Sequence, residues 1–411
     1  MRFASIKYLI VIVLVINSCS NEDKTSNQEK TEDYFDMEFE ELAKRYVPLD
    51  TIPLSDSINY FNYDVNIDRI KENKITAAQF PNFSVFMLDS IGQVKSKITQ
   101  AGDGLGMLGN ANFALSAVDE MGNIYVLTVG NSYRLFKFDE DYNFIKVFNL
   151  FKIIDEATVY VVNNSFKIVE KSNNKISIFI SVGSTVYPRN SVEFYENAFS
   201  VVEFTIDLER LEIVDHAKHL PYRDVPEVKE ALSGEKVWWS INNPVFEIKD
   251  EMFYVAYPFS NSVAVYDSVF NFVEDINFLK LKNISSKRYF TAMGKTIEDR
   301  YDRVIMSQRL SSENLKINRI DIQENYLLIQ FPEILKENGY YLPEKNEIGT
   351  VREAPAQHLH AIIKNLDTGE EKFITLPSDF YHIHIIDWNN FYGYHKRTDK
   401  EYTALIKFRY E

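Results

Sequence analysis

The chain has 411 residues, 60 acidic against 45 basic, a formal net charge of −15 and a single cysteine. So acidic a chain excludes nucleic acid as a partner, because phosphate binding needs a basic footprint. It also excludes electrostatic docking on anionic lipid, and one cysteine excludes any intramolecular disulfide.

At the N-terminus, Arg2 and Lys7 precede an unbroken apolar run of nine residues, Tyr8 to Ile16. A membrane helix needs about 20 such residues, so residues 1–18 read as a signal peptide. The run ends at Ile16-Asn17-Ser18-Cys19, which resembles the lipobox of bacterial lipoproteins, with Ile16 in place of the usual Leu and an untypical Asn17. The resemblance implies cleavage after Ser18 and a lipid on Cys19, which would hold the protein at a membrane. The alternative is an ordinary secretory peptide with a chance cysteine.

Residues 19–41 read as a lipidated acidic tether. Positions 20–41 hold nine acids against Lys24 and Lys30, so the segment cannot bury enough apolar area to offset chain entropy. Ser20-Asn21-Glu22-Asp23-Lys24 resembles the acidic surface-export signal of Bacteroidetes lipoproteins, and a plain solvated linker is the alternative. The first reading implies an outer-membrane lipoprotein exposed at the cell surface. Without Arg2 and Lys7 the net charge falls to −17.

From residue 42 to 411 the commonest period is two, the mark of β-strands. Six times a polar turn leads into an apolar strand, at Ile75, Ile124, Ile176, Met252, Tyr326 and Phe391. The turns are Glu72-Asn73-Lys74, Gly122-Asn123, Asn173-Asn174-Lys175, Asp250-Glu251, Glu324-Asn325 and Asn389-Asn390. A second turn, usually at Asp, follows each, as at Asp89, Asp139 and Asp267. Each unit thus holds four strands, A to D, and a spacing of fifty to seventy-odd residues suits one propeller blade plus insertions. The expected fold is all-β, a six-bladed β-propeller of four-stranded antiparallel blades, near 64–100, 110–150, 163–220, 241–281, 315–377 and 381–411. The last blade has room for three strands, and the N-terminal strand at Lys44–Leu49 is expected to close it.

Gln100-Ala101-Gly102-Asp103-Gly104-Leu105-Gly106 and Ala117-Val118-Asp119-Glu120-Met121-Gly122-Asn123-Ile124-Tyr125-Val126 carry a family likeness. The chain resembles the six-bladed propeller lipoproteins of Bacteroidetes, in particular the family catalogued as domain of unknown function 4221. The resemblance implies fold and anchoring over the whole mature chain. It brings no catalytic residues.

Topology sorts the loops. A–B and C–D turns lie at one end of a blade, B–C and D–A connections at the other. The long insertions, 184–199, 221–240, 282–313 and 332–357, all fall at the second end, where the binding surface is expected. Residues 282–313 carry seven bases against four acids. Arg288, Arg300 and Arg303 are candidates for an anionic ligand, with neutralisation of acidic neighbours as the alternative. Trp238, Trp239, Tyr340 and Tyr341 are candidates to stack on a sugar or cover a peptide, or else simply to plug the loops. His382 and His384 begin strand A of the last blade and are expected to point together toward the channel. His358 and His360 lie in another radial layer, so no metal site is expected.

Other motifs fail on context. Gly104-Leu105-Gly106-Met107-Leu108-Gly109 matches a dinucleotide fingerprint but leads toward a strand rather than a helix. Asp139-Glu140-Asp141-Tyr142-Asn143 starts like a calcium loop but has Phe144 at the obligatory glycine. No cofactor and no catalytic residue is therefore assigned. The expected function is a non-catalytic, lipid-anchored binding module for a glycan, peptide or envelope protein. The alternative is a hydrolase or lyase with an acidic and His site at the channel mouth.

Overall fold

The computed structural model describes residues 45–54, 65–71, 74–79, 84–89, 91–98, 111–119, 121–130, 133–150, 157–159, 166–171, 174–184, 186–187, 191–233, 236–238, 244–258, 260–279, 290–292, 317–334, 357–376, 380–397 and 402–411. All fall within one compact unit, Glu38–Glu411. Among them no helix is long and apolar enough to cross a membrane.

Strand β1 (Tyr46–Pro53) comes first. The first sheet is β2 to β5 (Val65–Lys71, Lys74–Gln79, Ser84–Leu88, Val94–Ile98), and the second is β6 to β9 (Ala111–Val118, Ile124–Gly130, Arg134–Phe138, Phe144–Asn149). A third holds β10 (Ala157–Val159), β11 (Phe166–Lys171), β12 (Lys175–Ser184), β13 (Phe199–Asp207) and β14 (Glu212–Pro221). Here β12 pairs with β11 over its first part and with β10 at its far end, so this sheet has five strands. Helices α1 (Val192–Asn197) and α2 (Pro226–Ser233) lie before and after β13–β14. The strands β15 (Lys236–Trp238) and β20 (Phe290–Ala292) pair with each other. Between them in sequence lie β16 to β19 (Val245–Lys249, Met252–Ala256, Ser262–Tyr266, Phe272–Asn277), and after them β21 to β24 (Arg319–Gln323, Tyr326–Ile334, Gln357–Asn365, Glu371–Leu376). The last sheet is β25 (Phe380–Ile385), β26 (Asn390–Arg397) and β27 (Tyr402–Tyr410), completed by β1. The molecule is an all-β propeller of four-stranded antiparallel blades, of which the described residues hold five, beside the five-stranded sheet.

Burial explains the sequence pattern. Neighbouring sheets cover both faces of the middle strands, so β12 is buried from Ile176 to Gly183 without interruption. Outermost strands face water, and β19 exposes five of its six residues. Apolar clusters join one sheet to the next. Tyr125, Leu127 and Phe148 pack against Ile176, Ile178 and Phe204, and Phe179 meets Phe246 and Phe253. Phe86 and Leu88 of the first sheet pack with Tyr394 and Leu405 of the last, so the ring closes on itself. Each fully buried Phe or Leu contributes about 1.5–3 kcal/mol.

A five-residue turn recurs between strands. Asp89, Asp139 and Asp267 each accept, at Oδ1, the backbone N–H groups two and four residues on. The residue three on has positive φ, Gly92 at 79°, Tyr142 at 68° and Phe270 at 63°. Asp119 builds the same loop between β6 and β7, with Gly122 at 89°. This is a hairpin loop of type I turn plus bulge, and the Asp supplies the side-chain acceptor it needs. The calcium-like run at Asp139 is therefore a structural turn. Strand β6 follows the glycine-rich run, which itself lies outside the described residues, so the dinucleotide reading fails there. At Gly92 a Cβ would come within 2.3 Å of the Pro53 carbonyl oxygen, which shows how closely β1 crosses the first sheet.

Candidate functional site

The innermost strands stand side by side around the axis: β6 beside β2 and β11, β16 beside β11 and β21, and β21 beside β25. Their sequences alternate polar with apolar residues. Arg319-Ile320-Asp321-Ile322-Gln323 and His382-Ile383-His384-Ile385 are examples. The apolar set packs between sheets while the polar set converges on the axis. The result is a cavity of about 890 Å³, walled by side chains of β6, β11, β16, β21 and β25. It lies within the size range of small-molecule sites, roughly 300–1,000 Å³.

The cavity reaches solvent at the short A–B turns. Asp250 and Glu251 form part of its rim, and both hold positive φ, 50° and 62°. Counting back from the last paired residue of each strand, Asp321 and Glu247 stand two residues inside the turns, and Arg319 and Lys167 four. Asp321 and Glu247 thus start nearer the mouth than Arg319 and Lys167, and Lys249 stands at the turn itself, 3.9 Å from Asp250.

Arg319 is 5% exposed, His382 6% and His384 8%. The Arg319 Nη2 lies 3.2 Å from both ring nitrogens of His384. His384 Nδ1 stands 3.9 Å from Asp321 Oδ2, which accepts the Ile385 N–H at 2.9 Å. Lys167 Nζ donates to Glu247 Oε2 at 2.6 Å. Burial first, then the Arg319 guanidinium, hold both histidines well below the ordinary imidazole value, so both are neutral at pH 7. Burial raises Asp321 above the usual carboxylate value, and Arg319 works against that rise. Gln330 fixes β25 from the neighbouring sheet: its Oε1 accepts the Ile383 N–H at 2.8 Å and its Nε2 donates to the Tyr381 carbonyl at 3.1 Å. The site can therefore present fixed charges of both signs to a polar ligand.

Of the residues singled out from sequence, His384 lines this cavity. His382 sits deeper, its ring stacked 6.1 Å from Tyr394. Trp238 belongs to strand β15 rather than to an irregular loop, and β15 pairs with β20 from the basic insertion. Cys19, Trp239, Arg288, Arg300, Arg303, Tyr340 and Tyr341 lie outside the described residues. His360 is a core residue, its Nδ1 2.9 Å from Thr375 Oγ1 and its ring 5.8 Å from Phe331 and 5.4 Å from Phe373. Among the described residues no group of three or more His, Cys, Asp or Glu is arranged to hold a metal. The described cavity opens on the short-turn end, opposite the long insertions. The channel is lined by charged groups rather than plugged by apolar ones. Arg319, Asp321, Lys167 and Glu247 escaped the sequence reading, although their alternation with Ile, Val and Phe is visible in the primary structure.

A second, smaller cleft of about 240 Å³ lies where β14 meets the next sheet, between His219, Tyr257, Tyr266 and Phe270. There His219 Nε2 stands 2.9 Å from Glu203 Oε2, and the imidazole stacks 3.9 Å from the Phe270 ring. Burial would raise Glu203, but the hydrogen bonds from His219 and Ser177 outweigh it and hold the carboxylate below its usual range.

No family model matches the sequence, and no curated protein does. Solved structures match at the level of fold. A member of the domain of unknown function 4221 family from Bacteroides vulgatus aligns with a TM-score of 0.56 at 12% identity, over 89% of this chain and 97% of that one. This chain shares the fold of that family. A protein from Bacteroides fragilis, described as exported, aligns with a TM-score of 0.50 at 10% identity, over 89% of this chain and 95% of its own. At these identities the likeness to the 4221 fold concerns architecture and carries no residue roles.

Proposed function

We propose that the protein is an exported, lipid-anchored, six-bladed propeller that binds a small polar ligand in its axial cavity without chemical change. The observation that carries this reading is the convergence of charged side chains from separate blades on one solvent-connected space. The count of six takes the five-stranded sheet as a blade, β11 to β14, to which β10 adds an outlying pair. Support for export and anchoring comes from the leader, from Cys19 and from the exported protein of like fold in Bacteroides fragilis. An outer-membrane, surface-exposed site would suit the acidic run after Cys19. The long-insertion end is the docking surface for a partner, favoured by the pairing of β15 with β20, which brings two of the insertions together. Binding is preferred to catalysis because His384 and Asp321 stand beyond direct hydrogen-bond reach.

The test is a thermal-shift screen of the protein against amino acids, short peptides, oligosaccharides, dicarboxylates and diamines. At least one class is expected to raise the melting temperature by several degrees. Gln323→Trp, at the exposed mouth of the cavity, is expected to abolish that shift while leaving the unliganded melting temperature unchanged. A shift that survives the plug, or no shift from any class, sinks the reading.

A further inference from the structure

We infer that the smaller cleft beside β14 is a second ligand site, built for a small planar organic cation, an amidinium or guanidinium on an apolar stem. Its donors would meet His219 Nδ1 and the Asp224 carboxylate, and its charge the rings of Tyr257 and Tyr266. This site stands apart from the axial cavity and does not depend on it.

Strand β14 is the edge strand of its sheet, and the cleft of about 240 Å³ beside it is smaller than the roughly 300–1,000 Å³ of drug-sized sites. A group the size of one side chain suits it. Glu203 holds His219 in place. The imidazole Nε2 stands 2.9 Å from Glu203 Oε2, and Ser177 Oγ donates to the other carboxylate oxygen. A carboxylate only accepts, so the imidazole proton sits on Nε2, and in the neutral ring Nδ1 is an acceptor. No described residue takes up that Nδ1. Stacking at 3.9 Å on Phe270, itself 4.4 Å from Phe253, fixes the ring plane. Tyr257 and Tyr266 add two electron-rich rings to the wall, a surface that attracts cations. Asp224 is exposed and brings negative charge: after burial, the Asp275 and Asp224 carboxylates hold the Tyr266 hydroxyl up at about 12. The neighbouring cation turns away. Lys218 pairs with Val202, on the face of the sheet that packs with Phe204 and Ile206, and its Nζ lies 4.6 Å from the Phe199 ring. His219 pairs with Val201, on the face that packs with Phe253 and Val255. An anion in the cleft would meet Asp224 and Glu203, and a neutral ligand of the same shape would forgo the attraction to the rings.

The experiment is calorimetric titration of the native protein at pH 8 with benzamidine, benzamide and benzoate, three ligands of one shape that carry positive, zero and negative charge. Benzamidine is expected to bind, benzamide at least tenfold more weakly and benzoate more weakly still. Asp224→Lys is expected to weaken benzamidine at least tenfold, and Gln323→Trp to leave it unchanged. Should Asp224→Lys fail to fold, the charge series and Gln323→Trp decide. No benzamidine binding, equal binding of benzamide or benzoate, or benzamidine binding that survives Asp224→Lys overturns the inference. Benzamidine binding lost in Gln323→Trp overturns it too and places that ligand in the axial cavity. A ligand of the axial cavity shows the reverse pattern, kept in Asp224→Lys and lost in Gln323→Trp, so either reading can fail alone.

Discussion

Lys372 in β24 shows how this fold perturbs a single group. Its ammonium lies 5.0 Å above the Trp388 ring and 3.3 Å from the Tyr410 carbonyl. Burial pulls it down to about 8, although Asp387 and Glu370 pull the other way. The folded state thus disfavours the charged amine, and the stability withheld at neutral pH returns as pH rises from about 8 toward the ordinary value of 10.5. An acylating reagent at pH 8 is expected to label Lys372 ahead of the exposed Lys95, as peptide mapping by mass spectrometry would record. Preferential labelling of Lys95 would contradict the environment described. The axial residues teach a related lesson about legibility. His382 and His384 stood out because histidine is rare here. Arg319 and Asp321 did not, because a charge alternating with Ile in a strand looks like an ordinary solvent-facing position. Ring closure turns that face inward, and no local window of sequence carries that information.

Among the elements, the Asp-headed turn was legible as punctuation, and its chemistry explains why Asp recurs. Asp119 is the version with most at stake. Its carboxylate accepts the Asn123 N–H and Nδ2–H at 2.8 Å each and the Tyr125 hydroxyl at 3.3 Å. Asp119→Ala strands those donors, one of them a buried hydroxyl, and is expected to cost about 2 kcal/mol in urea denaturation. A loss below about 0.5 kcal/mol would show that water replaces the carboxylate without penalty. The helices in the insertions left clearer signals than the sequence reading used. Ser191 accepts the Phe194 N–H at 3.1 Å as an N-cap, and Pro226 opens α2. Both starts are short and lie between strong strand patterns, so periodicity did not reveal them. Strand β15, which carries Trp238, went unread for the same reason: a three-residue strand pairing across more than fifty positions has no period to detect.

Across the whole molecule, closure was the part of the fold that sequence predicted from a deficit, three strands where four were needed. The closing strand runs further than expected, from Tyr46 to Pro53, with Tyr46 packed 5.1 Å from Phe408 and 5.7 Å from Phe380. Deleting residues 45–53 is expected to leave β27 as an open edge, so that the protein melts less cooperatively and self-associates in sedimentation. A monomer with an unchanged melting curve would mean that the sheet clusters hold the ring without it. The same arrangement has a mechanical side. The residues before Tyr46 lead straight into β1, so a pull on that end of the chain is borne first by the seven paired positions joining β1 to β27. The end of the chain and the latch are one continuous segment, and a tug strong enough to part that ladder would unfasten the ring at its seam before straining any other blade.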